Sequence, residues 1–278
     1  MDLDALYPAG GNHAIQNVAF VIEWQAPLSE ADYAELRKVH QEHLRQALPI
    51  IETPQVITFN IQPGLAPAMV PQVASGLSLA RHRPTATGTV VSCSIQINPQ
   101  NCLIVVNDYT RWDEIWTNVT EWTNYLLPVI LKKERALGGM ALQYADGFEW
   151  RGNPSEFKAE VLFSPETSYL PSNVFGKSGL WHSHHGFFTD VEIDAGYTQL
   201  DNVNVNLGDD PASLRRTVSI VTSHKVTFVQ PVWGVEQATA KFQGLMGRLH
   251  DSNKAVLKDL LLDAVQEKIK LFGDGKAK

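Results

Sequence analysis

The chain has 278 residues, of which 44% are hydrophobic and 19% charged, so it can bury a substantial core and does not have the composition of a disordered protein. Its formal charge is −7 and it contains no basic run, which argues against nucleic acid as a partner because nucleic-acid-binding proteins carry a basic face. No apolar run approaches about 18 residues and the N-terminus is acidic, so we expect neither a membrane span nor a signal peptide.

The first segments alternate between extended and helical patterns. Residues 18–24 are apolar and rich in strand-forming types, which predicts a strand. Ser29, followed by acidic residues, is typical of a helix start, because its hydroxyl caps backbone N–H groups and the acids favour the positive end of the helix dipole. We expect this helix to stop before Pro49. A short strand is predicted at 56–61, and the Pro- and Gly-rich residues 63–76 are predicted to form a loop.

The two cysteines flank a predicted hairpin. Pro99 stands at the second position of a turn, and closing the hairpin there pairs Ile97 with Cys102 and Cys93 with Val106. The two thiols then lie on one face but several residues out of register. A disulfide requires Cα atoms within about 7 Å, so we predict two free thiols. Free thiols are typical of the cytoplasm, which is the compartment we expect.

A tryptophan-rich helix is predicted after the hairpin. Thr110 opens it, and Gly138 with Gly139 ends it. Its apolar residues recur at helical spacing and are Trp112, Ile115, Trp116, Val119, Trp122, Tyr125, Leu126 and Ile130. We interpret this stripe as the core face of a helix lying on a sheet. The alternative is a groove for a ligand or partner, which has the same pattern.

The second half of the chain is predicted to contain several strands and a closing helical region. Strands are expected at residues 140–144, 157–163, 203–207, 216–222 and 226–230. Apolar and polar residues alternate along 200–207, so one face of that strand should meet water or a polar cleft. From 235 to about 272 the apolar stripe is helical, as one long helix or as two helices broken near Asp263.

This order of elements predicts an α+β fold. Hairpins imply a mainly antiparallel sheet, and three main helices are expected to cover one face of it. We find no alternating βαβ run and no nucleotide-binding fingerprint. The simplest domain organisation is one compact unit over residues 1–278, with a division into 1–150 and 151–278 as the alternative.

The densest group of chemically active side chains lies at residues 181–188, where three histidines fall within four positions. In an extended chain His182 and His184 point to one face, since side chains alternate along a strand. They form a usable pair of zinc ligands, and a third ligand has to come from elsewhere. Asp194 is the preferred third ligand. The alternative is that these histidines hydrogen-bond to backbone or water.

Residues 179–184 resemble the zinc-binding core of the JAMM metalloproteases, which are isopeptidases with a His-Ser-His-Pro motif. The resemblance implies that His182 and His184 bind zinc and that an upstream Glu acts as a general base. His185 stands where that family has Pro, and the acidic residues after it do not follow the family's spacing. The resemblance therefore implies two zinc ligands, not a complete site.

A longer resemblance spans most of the chain. Besides the strand at 18–24, it rests on an aromatic helix motif, a strand motif and the closing helical motifs, namely Trp112 with Trp116 and Trp122, Ala141-Leu142-Gln143-Tyr144, Leu249-His250-Asp251, Val256-Leu257 and Leu262-Asp263-Ala264-Val265. Together these motifs resemble a family of sporadically distributed bacterial proteins of about this size whose function is uncharacterised. The resemblance implies no activity and no catalytic residues.

Two functional hypotheses follow from these patterns. The first is a non-enzymatic binding or accessory protein that associates with itself or with a protein partner, needs no cofactor, and does not act at a membrane. It is favoured because the sequence holds no nucleophile elbow, no HExxH helix and no phosphate-binding loop. The second is a metal-dependent hydrolase in which His182, His184 and one of Asp190, Glu192 or Asp194 bind zinc and activate a water molecule.

Overall fold

The computed structural model describes residues 3–53, 76–132, 135–177, 179–191 and 196–273 in full, and residues 56–60 and 68–72 as backbone. Its strands are β1 (Leu6–Pro8), β2 (Ile15–Trp24), β3 (Ile50–Glu52), β4 (Val56–Asn60), β5 (Ala68–Gln72), β6 (Leu77–Thr85), β7 (Gly88–Ile97), β8 (Asn101–Val106), β9 (Leu137–Trp150), β10 (Trp181–Thr189), β11 (Tyr197–Asp209) and β12 (Arg216–Val232). Its helices are α1 (Glu30–Val39), α2 (Trp112–Ile130), α3 (Val235–Leu260) and α4 (Asp263–Lys268).

One ten-stranded antiparallel sheet organises the fold. Its strand order is β10-β11-β12-β9-β2-β8-β7-β6-β3, and β1 pairs with one end of β9. The strands β4 and β5 form a separate hairpin. Helix α3 packs on β9 and β12, and α2 packs between α1 and α3. The prediction of an α+β fold with a mainly antiparallel sheet and helices on one face is therefore confirmed.

The predicted hairpin register is confirmed. Strands β7 and β8 pair Ile97 with Cys102 and Cys93 with Val106. Both cysteines are buried free thiols, as predicted, and burial raises the pKa of each to about 12. Because a thiol must ionise to react, neither group is an accessible nucleophile at neutral pH.

Two helix predictions hold and one boundary moves. Ser29 caps α1, with Ser29 Oγ accepting from the Asp32 backbone N–H and the Asp32 carboxylate accepting in return. The tryptophan stripe of α2 faces the core, where the rings of Trp112 and Trp116 stack near Phe20 of β2. The helix ends at Ile130 rather than at the predicted glycine pair, which lies inside β9 because β9 extends back to residue 137.

Several predicted segments differ in the structure. The predicted strand at 157–163 is absent, and a short 3-10 turn at Ala159–Val161 takes its place. The predicted loop at 63–76 contains β5, which pairs with β4. The strands predicted at 216–222 and 226–230 are one continuous strand, β12.

Of the two alternatives left open for the final helical region, the structure shows two helices broken near Asp263. Helix α3 ends at Leu260, and α4 begins at Asp263 after two residues that leave the helix. No helix within the described ranges has both the length and the apolar character that crossing a bilayer requires.

Candidate functional site

The predicted histidine pair lies on the outer face of the edge strand β10. His182 stands opposite Asn206 of β11 and His184 opposite Asn204, and both imidazoles are exposed. The side chains share one face, as the sequence pattern indicated. Their cross-strand neighbours are amides, which are poor zinc ligands compared with carboxylate, thiolate or imidazole.

The structure supplies no third ligand among the residues it describes. Within those ranges no three His, Cys, Asp or Glu side chains converge in a way that could hold a metal ion. Asp190 is exposed after the end of β10, while Glu192 and Asp194 lie outside the described residues. The zinc site formed by His182, His184 and Asp194 therefore stays a prediction.

The zinc hypothesis predicts about one equivalent of zinc in protein purified without a histidine tag, and its loss in a His182→Ala/His184→Ala double variant. Atomic emission spectroscopy measures both. The matched control is His43→Ala, because this exposed histidine stacks on Tyr125 at a distant helix surface. Protein that holds no metal after zinc addition and dialysis contradicts the hypothesis.

A second arrangement of polar groups lies in the interior, between two hydrophobic clusters. One cluster includes Tyr144, Val226 and Leu249, and the other includes Phe148, Ile220 and Val256. Between them, each of the elements β9, β11, β12 and α3 carries buried polar side chains instead of apolar ones. We call these residues the polar belt: Asp146, Gln199, Asp201, Thr222, His224, His250 and Asn253.

Strand alternation places the belt on the helix-covered face of the sheet. The even-numbered residues of β9 from 140 to 150 are all buried, and Asp146 lies among them between Tyr144 and Phe148. On the neighbouring strand β12, Ile220 stands opposite Asp146. An acidic residue at such a position replaces a core side chain, which is costly unless the carboxyl group is neutral or partnered.

Helix α3 closes the belt from the other side. The Tyr144 hydroxyl lies 2.7 Å from His250 Nδ1, and the Thr222 hydroxyl donates to Asn253 Oδ1 at 2.5 Å. One residue before Asn253, Ser252 lies 3.3 Å from the Gln199 amide nitrogen. These contacts fix how α3 sits across three strands.

A cavity opens at the β9 end of the belt. Asp146, Tyr144, His250 and Asn253 line it, and its volume is about 50 Å³. This volume has room for a few water molecules or for a group of a few non-hydrogen atoms. The cavity is thus the place where the buried polar groups can meet a molecule from outside.

Asp146 is the most unusual group in this cavity. Its side chain is only 1% exposed, and neither carboxyl oxygen has a hydrogen-bonding partner in the part of the chain that the structure describes. Burial raises the pKa of Asp146 from 3.8 to about 7. The carboxyl group therefore exchanges between its neutral and charged forms near neutral pH, a property that is common at functional sites.

His250 also has a polar atom without a hydrogen-bonding partner among the described residues, namely Nε2. Burial and the nearby positive charge of Lys254 lower the pKa of His250 to about 3, so the ring is neutral at pH 7. The His250 tautomer that accepts a hydrogen bond from the Tyr144 hydroxyl at Nδ1 carries its own proton on Nε2. That Nε2 has no acceptor among the described residues. Trp112 stacks on the ring at 4.0 Å and holds its plane in place.

Positive charge surrounds the cavity. Arg111, Lys254 and Lys270 line it, whereas Asp146 is the one acidic residue of its lining within the described part of the chain. Tyr109 also contributes to the wall. Because three cationic side chains accompany one carboxyl group whose charged form is disfavoured, the cavity is better suited to an anion than to a cation.

A larger surface cavity of about 430 Å³ adjoins the first. His13, Ile15 and Tyr109 line both cavities, and the His13 and Tyr109 rings meet edge to face at 5.3 Å. A Cβ atom at Gly10 would lie 2.0 Å from the His13 ring, so a larger residue there would displace this part of the cavity wall. The inner cavity can thus hold a small charged group while the outer one holds the rest of a ligand.

The far end of the belt contains a hydrogen-bond network centred on the Asp201 carboxylate. His224 Nδ1 lies 2.6 Å from Asp201 Oδ1, and the Thr189 hydroxyl and the Gln199 amide also donate to this carboxylate. Burial alone raises the pKa of Asp201, but these hydrogen bonds outweigh burial and lower the pKa below its ordinary value. His224 is fully buried, and its Nε2 has no partner within the described ranges.

Sequence reasoning missed these residues. The strand predicted at 140–144 stops two residues short of Asp146, although an even-numbered position shared with Leu142, Tyr144 and Phe148 marks Asp146 as an acid on the buried face. Gly147 lies beside Gln16 of β2, where a Cβ atom would lie 2.7 Å from the end of the Gln16 side chain and would displace it. The period of two, extended through residue 150, was the available signal.

Comparison with known proteins gives no further support for a function. A scan of protein-family models finds none that matches this chain. A search of curated protein sequences finds no significant match.

Proposed function

We propose that this protein is a binding protein whose ligand is a small anion rich in hydrogen-bond acceptors, held in the cavity beside Asp146. The observation that carries the proposal is the buried Asp146 carboxyl group, which has no partner for either oxygen among the described residues and opens on a cavity. Buried polar groups in proteins are nearly always paired, so an unpaired group facing a cavity indicates a place for a ligand or an ordered water molecule.

The charges in the lining support an anion. Arg111 and Lys254 supply positive charge, and the Nε2–H of His250 supplies a buried donor. Near neutral pH the protonated form of Asp146 adds another donor, because its pKa is about 7. A bound anion stabilises that protonated form further, since a nearby negative charge disfavours ionisation. Ligand binding is thus coupled to proton uptake by Asp146.

The proposal includes the cytoplasm as the compartment. Both cysteines are buried free thiols, which supports a reducing environment.

We expect anion binding to weaken about tenfold between pH 6 and pH 8, because the protonated fraction of a group with a pKa of about 7 falls by that factor. Isothermal titration calorimetry with inorganic phosphate, acetate and succinate measures the dissociation constants. The Lys254→Met variant should lose most of the affinity, and the Asp146→Asn variant should lose the pH dependence.

The matched control is Lys258→Met. Lys258 lies one helical turn further along α3, is exposed, and does not line the cavity. Affinity that is unchanged in Lys254→Met, or reduced equally in both lysine variants, contradicts binding at this site. Failure of all three anions to bind also contradicts the proposal.

A further inference from the structure

The two edges of the ten-stranded sheet differ in length and protection. Strand β3 forms one edge with only three residues. Strand β10 forms the other with nine residues, and it pairs with β11 through its whole length without a bulge. Among the residues that the structure describes, none pairs with the open side of β10. In a regular antiparallel edge strand the backbone N–H and C=O groups of alternate residues point to the open side, so β10 forms a template for pairing with another strand.

Strand β10 also lacks the residues that usually prevent such pairing. Between Trp181 and Thr189 there is no Lys, Pro, Asp or Glu. Two large apolar side chains are exposed beside this edge: Leu180 is 58% exposed and Phe188 is 70% exposed. Phe188 lies on β10 and Leu180 immediately precedes it, so the two side chains present apolar surface at this edge that another chain can cover.

We propose that β10 pairs antiparallel with β10 of a second copy of this chain, about a two-fold axis that passes through His184. A two-fold interface uses the same surface on both copies, so the strand must be complementary to itself. In an antiparallel pair, residues at equal distances on either side of the axis stand opposite each other, with Cβ atoms about 4.5–5.5 Å apart.

On the outer face this register joins the exposed apolar side chains. Leu180 and Phe188 each lie four positions from His184, so Leu180 stands opposite the partner subunit's Phe188, and the pair occurs twice. His182 stands opposite the partner subunit's Gly186, where no side chain obstructs the imidazole ring. The contact therefore covers the two most exposed apolar groups at this edge.

The inner face is complementary in the same register. Trp181 stands opposite the partner subunit's Phe187, and both side chains are partly buried and already lie in aromatic clusters. Ser183 stands opposite the partner subunit's His185, which permits a hydrogen bond. Aromatic pairs across strands are among the more stabilising cross-strand contacts.

The neighbouring register fits less well. An axis at His185 would place Phe188 opposite the partner subunit's His182 and Trp181 opposite the partner subunit's Thr189. Each large apolar side chain would then face a polar one. The distribution of side chains along β10 therefore selects the axis at His184 and a second copy as the occupant.

We expect a dimer whose dissociation constant rises about tenfold in His184→Lys, because the axis places the two lysines directly opposite each other. Analytical ultracentrifugation over a hundredfold concentration range measures this constant. An equal mixture of His184→Lys and His184→Glu proteins should recover the affinity of the natural protein. The matched control is Asn206→Lys, which adds the same charge on the exposed face of β11, away from the edge. A monomer at all concentrations, or equal weakening in both lysine variants, overturns the proposal.

Cysteine cross-linking tests the register independently. Because Cys93 and Cys102 are buried, they should not react in the folded protein. Leu180→Cys and Phe188→Cys proteins should each remain uncross-linked alone under mild oxidation, and their mixture should give a covalent dimer on a non-reducing gel. Cross-linking of Phe188→Cys protein with itself, or none in the mixture, overturns the register.

Discussion

We compare the unfolding free energy of the Asp146→Asn variant with that of the natural protein at pH 4 and at pH 8. We expect this difference to shift by about 4 kcal/mol in favour of the variant as the pH rises. The carboxyl group titrates at about 7 in the folded protein and near 3.8 when exposed. Folding therefore favours the protonated form, and the cost of burying the charged form grows as pH rises between these two values. The neutral amide of Asn has a similar shape and carries no such cost. Urea unfolding at several pH values measures the difference.

The sign of this effect separates Asp146 from His250, the buried histidine in the same cavity. The pKa of His250 is lowered to about 3, so its contribution is present above pH 6.5 and is lost as pH falls, which is the opposite direction. It is present in both proteins and cancels in the comparison. The exposed Asp190→Asn variant serves as the control, with curves that should run parallel to those of the natural protein. Parallel curves for Asp146→Asn would contradict an unpartnered buried carboxyl group.

A stabilising substitution at Asp146 has a functional meaning. If the same variant is more stable at pH 8 and has lost the pH dependence of anion binding, the natural residue is kept at a cost in stability. Such a trade-off is typical of binding and catalytic sites, where strained or unsatisfied groups are retained for function. The combined result distinguishes a ligand site from a group that only fixes the packing of α3.

The second large effect is expected at Asp201. The Asp201→Ala variant should lose about 3–5 kcal/mol of unfolding free energy at pH 7, because His224, Thr189 and Gln199 all lose their shared buried acceptor. Chemical denaturation followed by circular dichroism measures the loss. The matched control is Asn206→Ala on the exposed face of β11, for which we expect a change within about 0.5 kcal/mol.

The pH dependence at this end of the belt has the opposite sign to that of Asp146. The folded protein lowers the pKa of Asp201 below 3.8, so the stabilising contribution of the network is present above that value and is lost as pH falls through the folded pKa. In acid, the difference in stability between the natural protein and Asp201→Ala should therefore become smaller. A loss of less than about 1 kcal/mol at pH 7 would mean that the network adds little to stability.

The two ends of the polar belt thus have different roles. Around Asp201 the hydrogen bonds are nearly complete, and the network joins β10, β11 and β12. Around Asp146 the carboxyl group is unpaired among the described residues and faces a cavity. Complete buried networks specify packing, whereas incomplete ones indicate a missing ligand or water.

Local patterns in the sequence predicted much of the fold. Pro99 determined the hairpin register, because a turn with fixed backbone geometry sets which residues pair on either side of it. Ser29 determined the start of α1 through contacts within one helical turn. The tryptophan stripe identified the core face of α2, since helical periodicity alone decides which side chains share a face. These features depend on residues only a few positions apart.

The search for clustered side chains in the sequence identified a surface segment as the candidate site, and not the buried polar groups. Three histidines within four residues stood out at 181–188, yet the structure places His182 and His184 on an exposed edge strand beside amide side chains. Clustering in the sequence does not show whether a third ligand converges in space. The stretch is instead notable because it forms the edge strand β10, whose open side is evident only from the strand order of the sheet.

The candidate site was decided by the tertiary structure. The contact between Tyr144 and His250 joins residues 106 positions apart, and the one between Asp201 and His224 joins different strands. No local pattern predicts that α3 crosses β9 where Asp146 faces inward. The sequence by itself determined the apolar faces and most of the helical and extended segments, although not the turn at Ala159–Val161 or the end of α2. Only the packing of α3 on the sheet decided which buried polar groups meet. The same packing decided where the cavity beside the Asp146 carboxyl group lies.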